Sequence, residues 1–324
     1  MISKKKIIIF VIILVGLLLP VITNNFFWSV FLGRVMSSIL LTTAAWALLE
    51  VAGQPAFGLS ALAGVGVYAY ALSARTGSVN PWLAILLGIF LATLVGMLLS
   101  IPSIKIGGIM NQGILNIFFV FAFHAFIAAF PSFTGGTMGV ALETLPPADI
   151  FKQLPYKYLI ILVFTLIGVG AIYWILRTRL GRVIALAAQN EQLASSLGIN
   201  ITKYKRLAYL IFVPFLGLAG FCTGYSTGFT SPSYWSVELS FITILSFWIG
   251  GPKSIWGPIF GAALITSIPT LLNVAMEWRI VVCGVLALLI RMYLPEGIVG
   301  FLSSKSKNLS KVSHKKFVVE LDNR

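Results

Sequence analysis

The most regular feature of the chain is a series of apolar runs separated by short polar connectors. A helix that crosses roughly 30 Å of hydrocarbon at 1.5 Å per residue needs about 20 apolar residues. The runs are 7–23, 35–52, 55–73, 81–101, 109–130, 158–176, 207–230, 237–251, 255–274 and 279–294. The run 55–73 is rich in Gly and Ala, and 237–251 is short. The pattern predicts an all-α polytopic membrane protein with about ten transmembrane helices (eight to ten), one or two of them broken or re-entrant.

The composition supports lipid as the solvent for most of the chain. Apolar residues make up 58% of the 324 residues and charged residues 10%, against about 25% charged residues in soluble domains. A soluble enzyme, a disordered protein and a coiled coil need more polar surface and are excluded. The net charge of +14 does not indicate nucleic-acid binding, because the basic residues lie in connectors and near the two ends rather than on a polar domain.

The positions of the basic residues predict the orientation. Threading ten spans from a cytoplasmic N-terminus places 18 of the 23 Lys and Arg residues on one side, many of them in the connector 177–206 and the tail 303–324. The positive-inside rule makes that side cytoplasmic. Both termini are therefore expected in the cytoplasm, and 7–23 is interpreted as an uncleaved first span. On the other side, the Pro- and Gly-rich connector 131–157 predicts an ordered, irregular cap.

Small and ionisable residues inside the runs are the candidates for a solute pathway. Gly58, Ser60 and Gly64 make the third run thin, which allows close helix packing or a break that presents backbone groups to a solute. Ionisable residues within a membrane are functional candidates by default, and His124 lies mid-span while Glu238 opens the eighth run. The structural alternatives are a neutral imidazole bonded to a neighbouring helix and a carboxylate that reaches water at the interface.

No group of residues indicates catalysis, a cofactor or a metal site. No Ser, Asp or Cys is spaced to form a triad with His124, and two cysteines with two histidines are too few for a zinc site. A nucleotide-binding loop needs Gly-Lys-Ser/Thr without interruption and a further Gly upstream. Here Pro252 interrupts the segment 250–254, and Ser246 stands at the upstream position. The sequence predicts a protein without catalytic residues, cofactor or metal.

The connector 177–206 is longer and more apolar than a simple turn between spans. Leu186, Leu193 and Leu197 recur at helical spacing between basic flanks, and Gly198 is suited to end a helix. The pattern predicts one short amphipathic helix on the cytoplasmic side. Such a helix either lies on the membrane surface or inserts into a groove on a partner protein.

The connector and its surroundings resemble the permease family of branched-chain amino acid ABC importers, the LivM-type subunit. The resemblance covers roughly residues 45–302 and rests on the order and spacing of short pieces. In and after the connector these are Gly181-Arg182, Asn190-Glu191, Ala194, Leu197-Gly-Ile-Asn200, Lys205, Gly217-Leu-Ala-Gly220, Ser231-Pro232, Gly250-Gly251, Gly257-Pro258, Gly261-Ala262 and Pro295-Glu-Gly297. Upstream they are Ala52-Gly-Gln54, Gly58-Leu-Ser60, Gly64-Val-Gly-Val-Tyr68 and Thr134-Gly-Gly136 with Gly139. Tyr68 thereby joins Gly58, Ser60, Gly64, His124 and Glu238 as a candidate pathway residue.

The resemblance implies a permease subunit in a bacterial cell membrane. Its partners would be a second permease subunit, expected to be a different chain, two cytoplasmic ABC ATPase subunits and an extracytoplasmic substrate-binding protein. Residues 1–302 would form one transmembrane domain, and 303–324 a basic cytoplasmic tail attracted to anionic lipid. The helix in 177–206 would be the coupling helix that seats in an ATPase cleft. The implied coupling residues are Arg182, Asn190, Glu191, Ala194, Leu197, Gly198 and Asn200.

The sequence departs from the family pattern in three places. These are the segment 107–129, Gln54 in the early glycine-rich segment, and Lys253 after the paired glycines. Because these regions should lie near the pathway, the expected solute, a branched-chain or other amino acid, has alternatives in urea or amides, nucleosides and sugars. A different class of function, an ion-coupled secondary carrier, needs inward-facing carboxylates at mid-membrane, and the sequence shows no clear set of them.

Overall fold

The computed structural model describes residues 26–55, 57–75, 79–143, 145, 154–271 and parts of 281–301. Within these ranges the chain is mostly helical, with one two-stranded sheet. The helices are α1 (Phe26–Trp46), which continues as a π-helical turn (Ala47–Val51), α2 (Leu59–Arg75), α3 (Pro81–Ile106), α4 (Ile109–Ala129), α5 (Pro131–Thr134), α6 (Leu154–Arg177), α7 (Arg179–Gln189), α8 (Glu191–Ser196), α9 (Ile201–Thr227), α10 (Val237–Gly250) and α11 (Trp256–Leu271).

Membrane-length helices appear where the apolar runs predict them. Five described segments are long and apolar enough to cross a membrane: Phe27–Val51, Pro81–Ile106, Ile109–Ala129, Tyr156–Arg177 and Ile201–Thr227. Three further predicted spans correspond to the shorter helices α2, α10 and α11. The predicted first span, 7–23, and most of 279–294 lie outside the described residues. Helix α1 begins at Phe26 rather than at 35, so Arg34 lies inside a membrane-length helix and not in a connector.

Helix α9 forms the centre of the fold, because it packs against α1, α2, α3 and α6. Glycines allow this packing to be close. A Cβ on Gly66 of α2 would lie 2.6 Å from the Cα of Gly217 in α9 and would overlap it. Of the two interpretations of the small residues in 55–73, close packing is therefore the one that describes Gly66.

The irregular backbone predicted for the third run lies just before α2 rather than within it. The π-helical turn ends α1, and the amide of Gln54 then donates to the carbonyl of Leu48 at 3.0 Å. Helix α2 itself is continuous from Leu59, as α10 is from Val237. The backbone groups of this turn are thus partnered by protein, which is the condition for irregular backbone at membrane depth.

A small irregular cap closes one end of the helices. Strand β1 (Val140–Ala141) pairs antiparallel with β2 (Phe229–Thr230), which follows α9 directly. Turns of 3₁₀ helix at Gly136–Met138 and Pro232–Trp235 complete the cap. The prediction of an ordered, irregular segment is confirmed for 131–143, whereas 146–153 lie outside the described residues. We call this the sheet end of the molecule, and the opposite end, where α7 and α8 lie, the coupling end.

Candidate functional site

A cavity of about 700 Å³ lies between α1, α9, α10 and α11, towards the sheet end. Ten of its twenty lining residues are Ser or Thr. The lining residues are Arg34, Ser37, Ser38 and Leu41 from α1; Thr223, Gly224 and Thr227 from α9; Phe229, Thr230, Ser231, Tyr234 and Trp235 from the turn that follows; Leu239, Ile242, Thr243 and Ser246 from α10; and Ile265, Thr266, Pro269 and Thr270 from α11. A hydroxyl-lined space between membrane helices can hold a small polar solute in water.

The cavity is built from helical stripes. Along α1 its residues fall at positions 34, 37, 38 and 41, and along α10 at 239, 242, 243 and 246. Both sets follow the i, i+3, i+4, i+7 spacing that puts residues on one face of a helix. Each helix therefore turns one face towards the cavity, which is mostly polar in α1 and carries Thr243 and Ser246 beside two apolar residues in α10.

Most of the hydroxyl groups that line the cavity donate hydrogen bonds to other groups of the protein. Ser37 Oγ donates to the Arg34 carbonyl at 3.0 Å, and Thr243 Oγ1 to the Leu239 carbonyl at 2.7 Å. Across two helices, Thr266 Oγ1 donates to Ser38 Oγ at 2.8 Å. A hydroxyl that donates in this way keeps oxygen lone pairs for accepting, so the cavity wall offers mainly hydrogen-bond acceptors to whatever occupies it.

Trp235 fixes the wall of the cavity at the sheet end. Its indole Nε1 donates to Thr230 Oγ1 at 2.8 Å, and its carbonyl lies 3.2 Å from His124 Nε2. Gly64 lets the indole approach α2, since a Cβ there would lie 3.1 Å from Trp235 Cγ and 2.7 Å from a ring carbon of Phe123. For His124 the structure therefore shows a hydrogen bond to a neighbouring segment.

The six predicted pathway residues are not among the residues that line the cavity. Gly64, Tyr68 and His124 come together with Phe123 and Trp235, and the Tyr68 ring meets Phe123 edge-on with centroids 5.9 Å apart. The other three members are separate from this group. Ser60 Oγ accepts from Ser240 Oγ at 2.8 Å, a Cβ on Gly58 would meet Asn116, and Glu238 is exposed in the first turn of α10. A role for these six residues in solute passage stays a prediction.

At the coupling end, two tryptophans tie α1 to the connection between α10 and α11. Trp46 Nε1 donates to the Pro252 carbonyl at 2.7 Å. Trp248 Nε1 donates to Glu50 Oε1, also at 2.7 Å. Helices α1 and α10 both line the cavity closer to the sheet end. These bonds therefore hold the two helices together on the coupling side of the cavity.

Sequence reasoning missed the cavity, although a signal was present. Charged and glycine-rich positions predict the pathway residues, whereas half of the residues that line the cavity are Ser and Thr. The apolar run 35–52 begins one residue after Arg34 and thus leaves Arg34 in a connector. The spacing of Arg34, Ser37 and Ser38 along one helix face is the signal that marks this stripe.

The connector 177–206 forms two short helices rather than the one predicted. Asn190 has an extended backbone and ends α7, and its Oδ1 caps α8 by accepting from the Leu193 amide at 2.9 Å. Asn200 caps α9 in the same way, accepting from the Lys203 amide at 3.0 Å. Side-chain caps of this type begin new helices. The prediction of a single helix is therefore wrong, because an asparagine in the middle starts a second helix.

The predicted coupling residues divide into exposed and structural ones. Arg182, Glu191 and Leu197 are exposed, whereas Ala194 is buried. Asn190, Gly198 and Asn200 set the turns: Gly198 has φ +78° and ends α8, a conformation that favours glycine. Leu193 and Leu197 are 50% and 64% exposed on a short helix outside the membrane-length segments. Glu191 Oε1 and Lys205 Nζ form an ion pair at 2.6 Å that ties α8 to α9.

Contacts lead from α7 towards the base of the cavity. Helix α7 touches the π-helical turn after α1. Gly53 permits this approach, since a Cβ there would lie 3.0 Å from the Cβ of Ala188. The same π-helical turn carries Glu50, the acceptor of the Trp248 indole. The coupling end is thus in mechanical contact with α1, a helix that lines the cavity.

Membrane-length helices around a polar cavity define an integral membrane permease. Residues 29–291 match the family described as the permease component of branched-chain amino acid transport systems, and the chain belongs to that family. The family resemblance drawn from the sequence is thereby confirmed.

Individual relatives are distant. The chain is 22% identical over 288 residues to the high-affinity branched-chain amino acid transport system permease protein LivM of Salmonella typhimurium (strain LT2), covering 81% of this chain and 68% of that protein, and the same values hold for LivM of Escherichia coli K12. It is 25% identical over 186 residues to LivH of Salmonella typhimurium, covering 54% and 60%. Among solved structures, PsaBC from Streptococcus pneumoniae in complex with Fab aligns with a TM-score of 0.48 and 15% identity, covering 86% of this chain and 95% of that one.

Proposed function

We propose that the chain is the membrane-spanning permease subunit of an ATP-driven importer for small solutes, with branched-chain or other amino acids as the favoured cargo. The observation that carries the proposal is the hydroxyl-lined cavity of about 700 Å³ between α1, α9, α10 and α11 in a chain of this family. Its volume falls in the range of roughly 300–1,000 Å³ typical of small-molecule sites.

The proposed importer has the composition that the sequence resemblance implies. This chain forms the pathway with a second permease subunit, two cytoplasmic ATPase subunits supply the energy, and an extracytoplasmic binding protein delivers the solute. The chain crosses a bacterial cell membrane about ten times with both termini in the cytoplasm. It performs no catalysis itself and needs no cofactor.

The coupling end carries the surface that contacts the ATPase in this proposal. Helix α8 exposes Leu193, Leu197 and Glu191, a small apolar surface beside a charge that suits a groove on a protein better than water. ATPase closure against this surface would move α7, which touches the π-helical turn of α1. The tryptophan bonds at Trp46 and Trp248 would then break or shift, opening the cavity towards the coupling end.

Uptake of ¹⁴C-leucine into ATP-loaded membrane vesicles that carry the complete importer tests this proposal. Uptake should require ATP. Glu191→Lys should abolish it, since the reversed charge lies on the surface that meets the ATPase, while the amount of inserted protein stays unchanged. Lys205→Gln is the matched control, because it breaks the same ion pair without changing α8, and uptake should persist.

Two outcomes would contradict the proposal. Equal loss of uptake in Glu191→Lys and Lys205→Gln would assign Glu191 to the intrachain ion pair rather than to an ATPase contact. Uptake by the purified chain alone in liposomes, driven by a Na⁺ or H⁺ gradient, would establish the ion-coupled carrier instead.

A further inference from the structure

Arg34 occupies an unusual position for a charged residue. It lies in α1, about 12 Å along the helix from Phe26 at 1.5 Å per residue, and inside the membrane-length segment Phe27–Val51. Placing a guanidinium within such a segment is unfavourable unless it meets water or a partner. The side chain lines the cavity and is exposed rather than buried against protein, so it is open to a partner that enters the cavity.

The protein itself offers Arg34 no countercharge among the described residues. Its guanidinium has no Asp or Glu oxygen within 4.0 Å there, and the described part of the cavity lining contains no acidic side chain. Glu238 precedes the lining residue Leu239 but is exposed at the start of α10. The cavity therefore combines one positive charge with a wall of acceptor oxygens.

These two features suit different parts of one solute. A guanidinium carries N–H donors in a planar fork that matches a carboxylate. The oxygens of Thr243 and Ser246, whose own protons are engaged with backbone carbonyls, accept from an ammonium or amide group. A neutral, purely donating solute would leave the arginine without an acceptor, which is costly within a membrane.

We propose that Arg34 is the specificity-determining residue of the cavity and binds the carboxylate of the solute, while the Ser and Thr oxygens accept from its N–H groups. This inference rests on the proposed function for the identity of the site as a transport pathway. It adds a requirement for an anionic group, which excludes urea, amides, nucleosides and neutral sugars as the main cargo.

The claim that Arg34 supplies the positive charge of the cavity can be tested without any partner subunit. In the full chain with Cys222 and Cys283 replaced by alanine, Thr270→Cys places a thiol on the cavity wall. Its reaction rates with an anionic and a cationic methanethiosulfonate, the sulfonatoethyl and trimethylammonioethyl reagents, are then compared. Arg34→Gln should lower the anionic-to-cationic rate ratio roughly tenfold, because it removes the positive charge of the cavity.

Arg75→Gln is the matched control, since Arg75 is exposed at the end of α2 and does not line the cavity. It makes the same change in net charge and should leave the ratio unchanged. An equal ratio in all three proteins, or equal falls in both variants, would overturn the assignment of Arg34 to the cavity.

The claim that Arg34 binds the solute carboxylate is tested with the complete importer in vesicles. Arg34→Gln should raise the KM for ¹⁴C-leucine at least tenfold, Arg34→Lys should raise it less, and Arg75→Gln should not change it. The same binding protein serves every variant, so a change in KM between variants reports the cavity and not the delivery of the solute.

The outcomes separate this inference from the proposed function. An unchanged KM for leucine in Arg34→Gln, or an equal rise in Arg75→Gln, would overturn the carboxylate assignment while ATP-driven uptake stands. Absence of ATP-dependent uptake in the unmodified importer would overturn the proposed function, and the thiol rates would still decide whether Arg34 controls the charge selectivity of the cavity.

Discussion

Small residues have two distinct roles in this protein. Gly66 and Gly217 bring the backbones of α2 and α9 together, because neither carries a side chain that would separate them. Ser37, Thr243 and Ser246 instead donate to backbone carbonyls within their own helices, which satisfies their protons in a membrane helix. Their oxygens remain available to the cavity.

The packing role predicts a large difference between two glycines. Gly66→Ala should destabilise the protein by about 1–3 kcal/mol, because the new Cβ would lie 2.6 Å from backbone atoms that cannot move aside. Gly170→Ala in α6 has no atom within 4 Å of the new Cβ and should be neutral or slightly stabilising. Unfolding in detergent mixed with SDS, followed by circular dichroism, measures both. Equal stabilities would contradict the close backbone packing of α2 on α9.

At the scale of the element, capping residues decide where helices begin and end. Hydrophobic spacing predicted a helix through 177–206, and Leu186, Leu193 and Leu197 do lie at helical intervals. The amide oxygen of Asn190 competes with the helix by binding the Leu193 amide, as Asn side chains do at helix starts. The α7 and α8 axes therefore have separate directions, a consequence of one residue that apolar spacing does not detect.

Gly198 provides a test of this turn. Its φ of +78° costs an ordinary residue about 1–2 kcal/mol, and no atom lies within 4 Å of an added Cβ, so a substitution acts through the backbone alone. Gly198→Val should change the angle between α8 and α9 and reduce ATP-dependent uptake by more than half, with insertion preserved. Gly198→Asn should retain most of the uptake, because asparagine tolerates the left-handed region. Equal uptake by both variants would show that the angle of α8 is unimportant.

At the scale of the whole molecule, the cavity and the coupling segment lie at opposite ends. Helix α9 connects them, since it follows α8 and leads into β2, and its 27 residues span about 40 Å. The cavity at one end and an exposed helical segment at the other form the arrangement that the proposed importer, with external delivery and internal ATPases, needs.

The sidedness can be measured by labelling single cysteines with a membrane-impermeant maleimide. Met138→Cys at the sheet end replaces a residue that is 85% exposed and should be labelled in intact cells. Leu197→Cys at the coupling end should react only after the membrane is permeabilised. The reverse pattern would invert the orientation predicted from the basic residues.

The sequence by itself determined the membrane class, the approximate positions of the membrane-length helices and the family, because apolar length and the spacing of short motifs are local properties of a chain. It also located the irregular cap at 131–143 from its Pro and Gly residues. The cavity could be decided only by the tertiary structure. It joins four helices that are far apart in the chain, and any one of their stripes, such as Thr266 with Thr270, is indistinguishable from ordinary Ser and Thr bonded to their own helix. Their common orientation depends on how α1 packs against α9, α10 and α11.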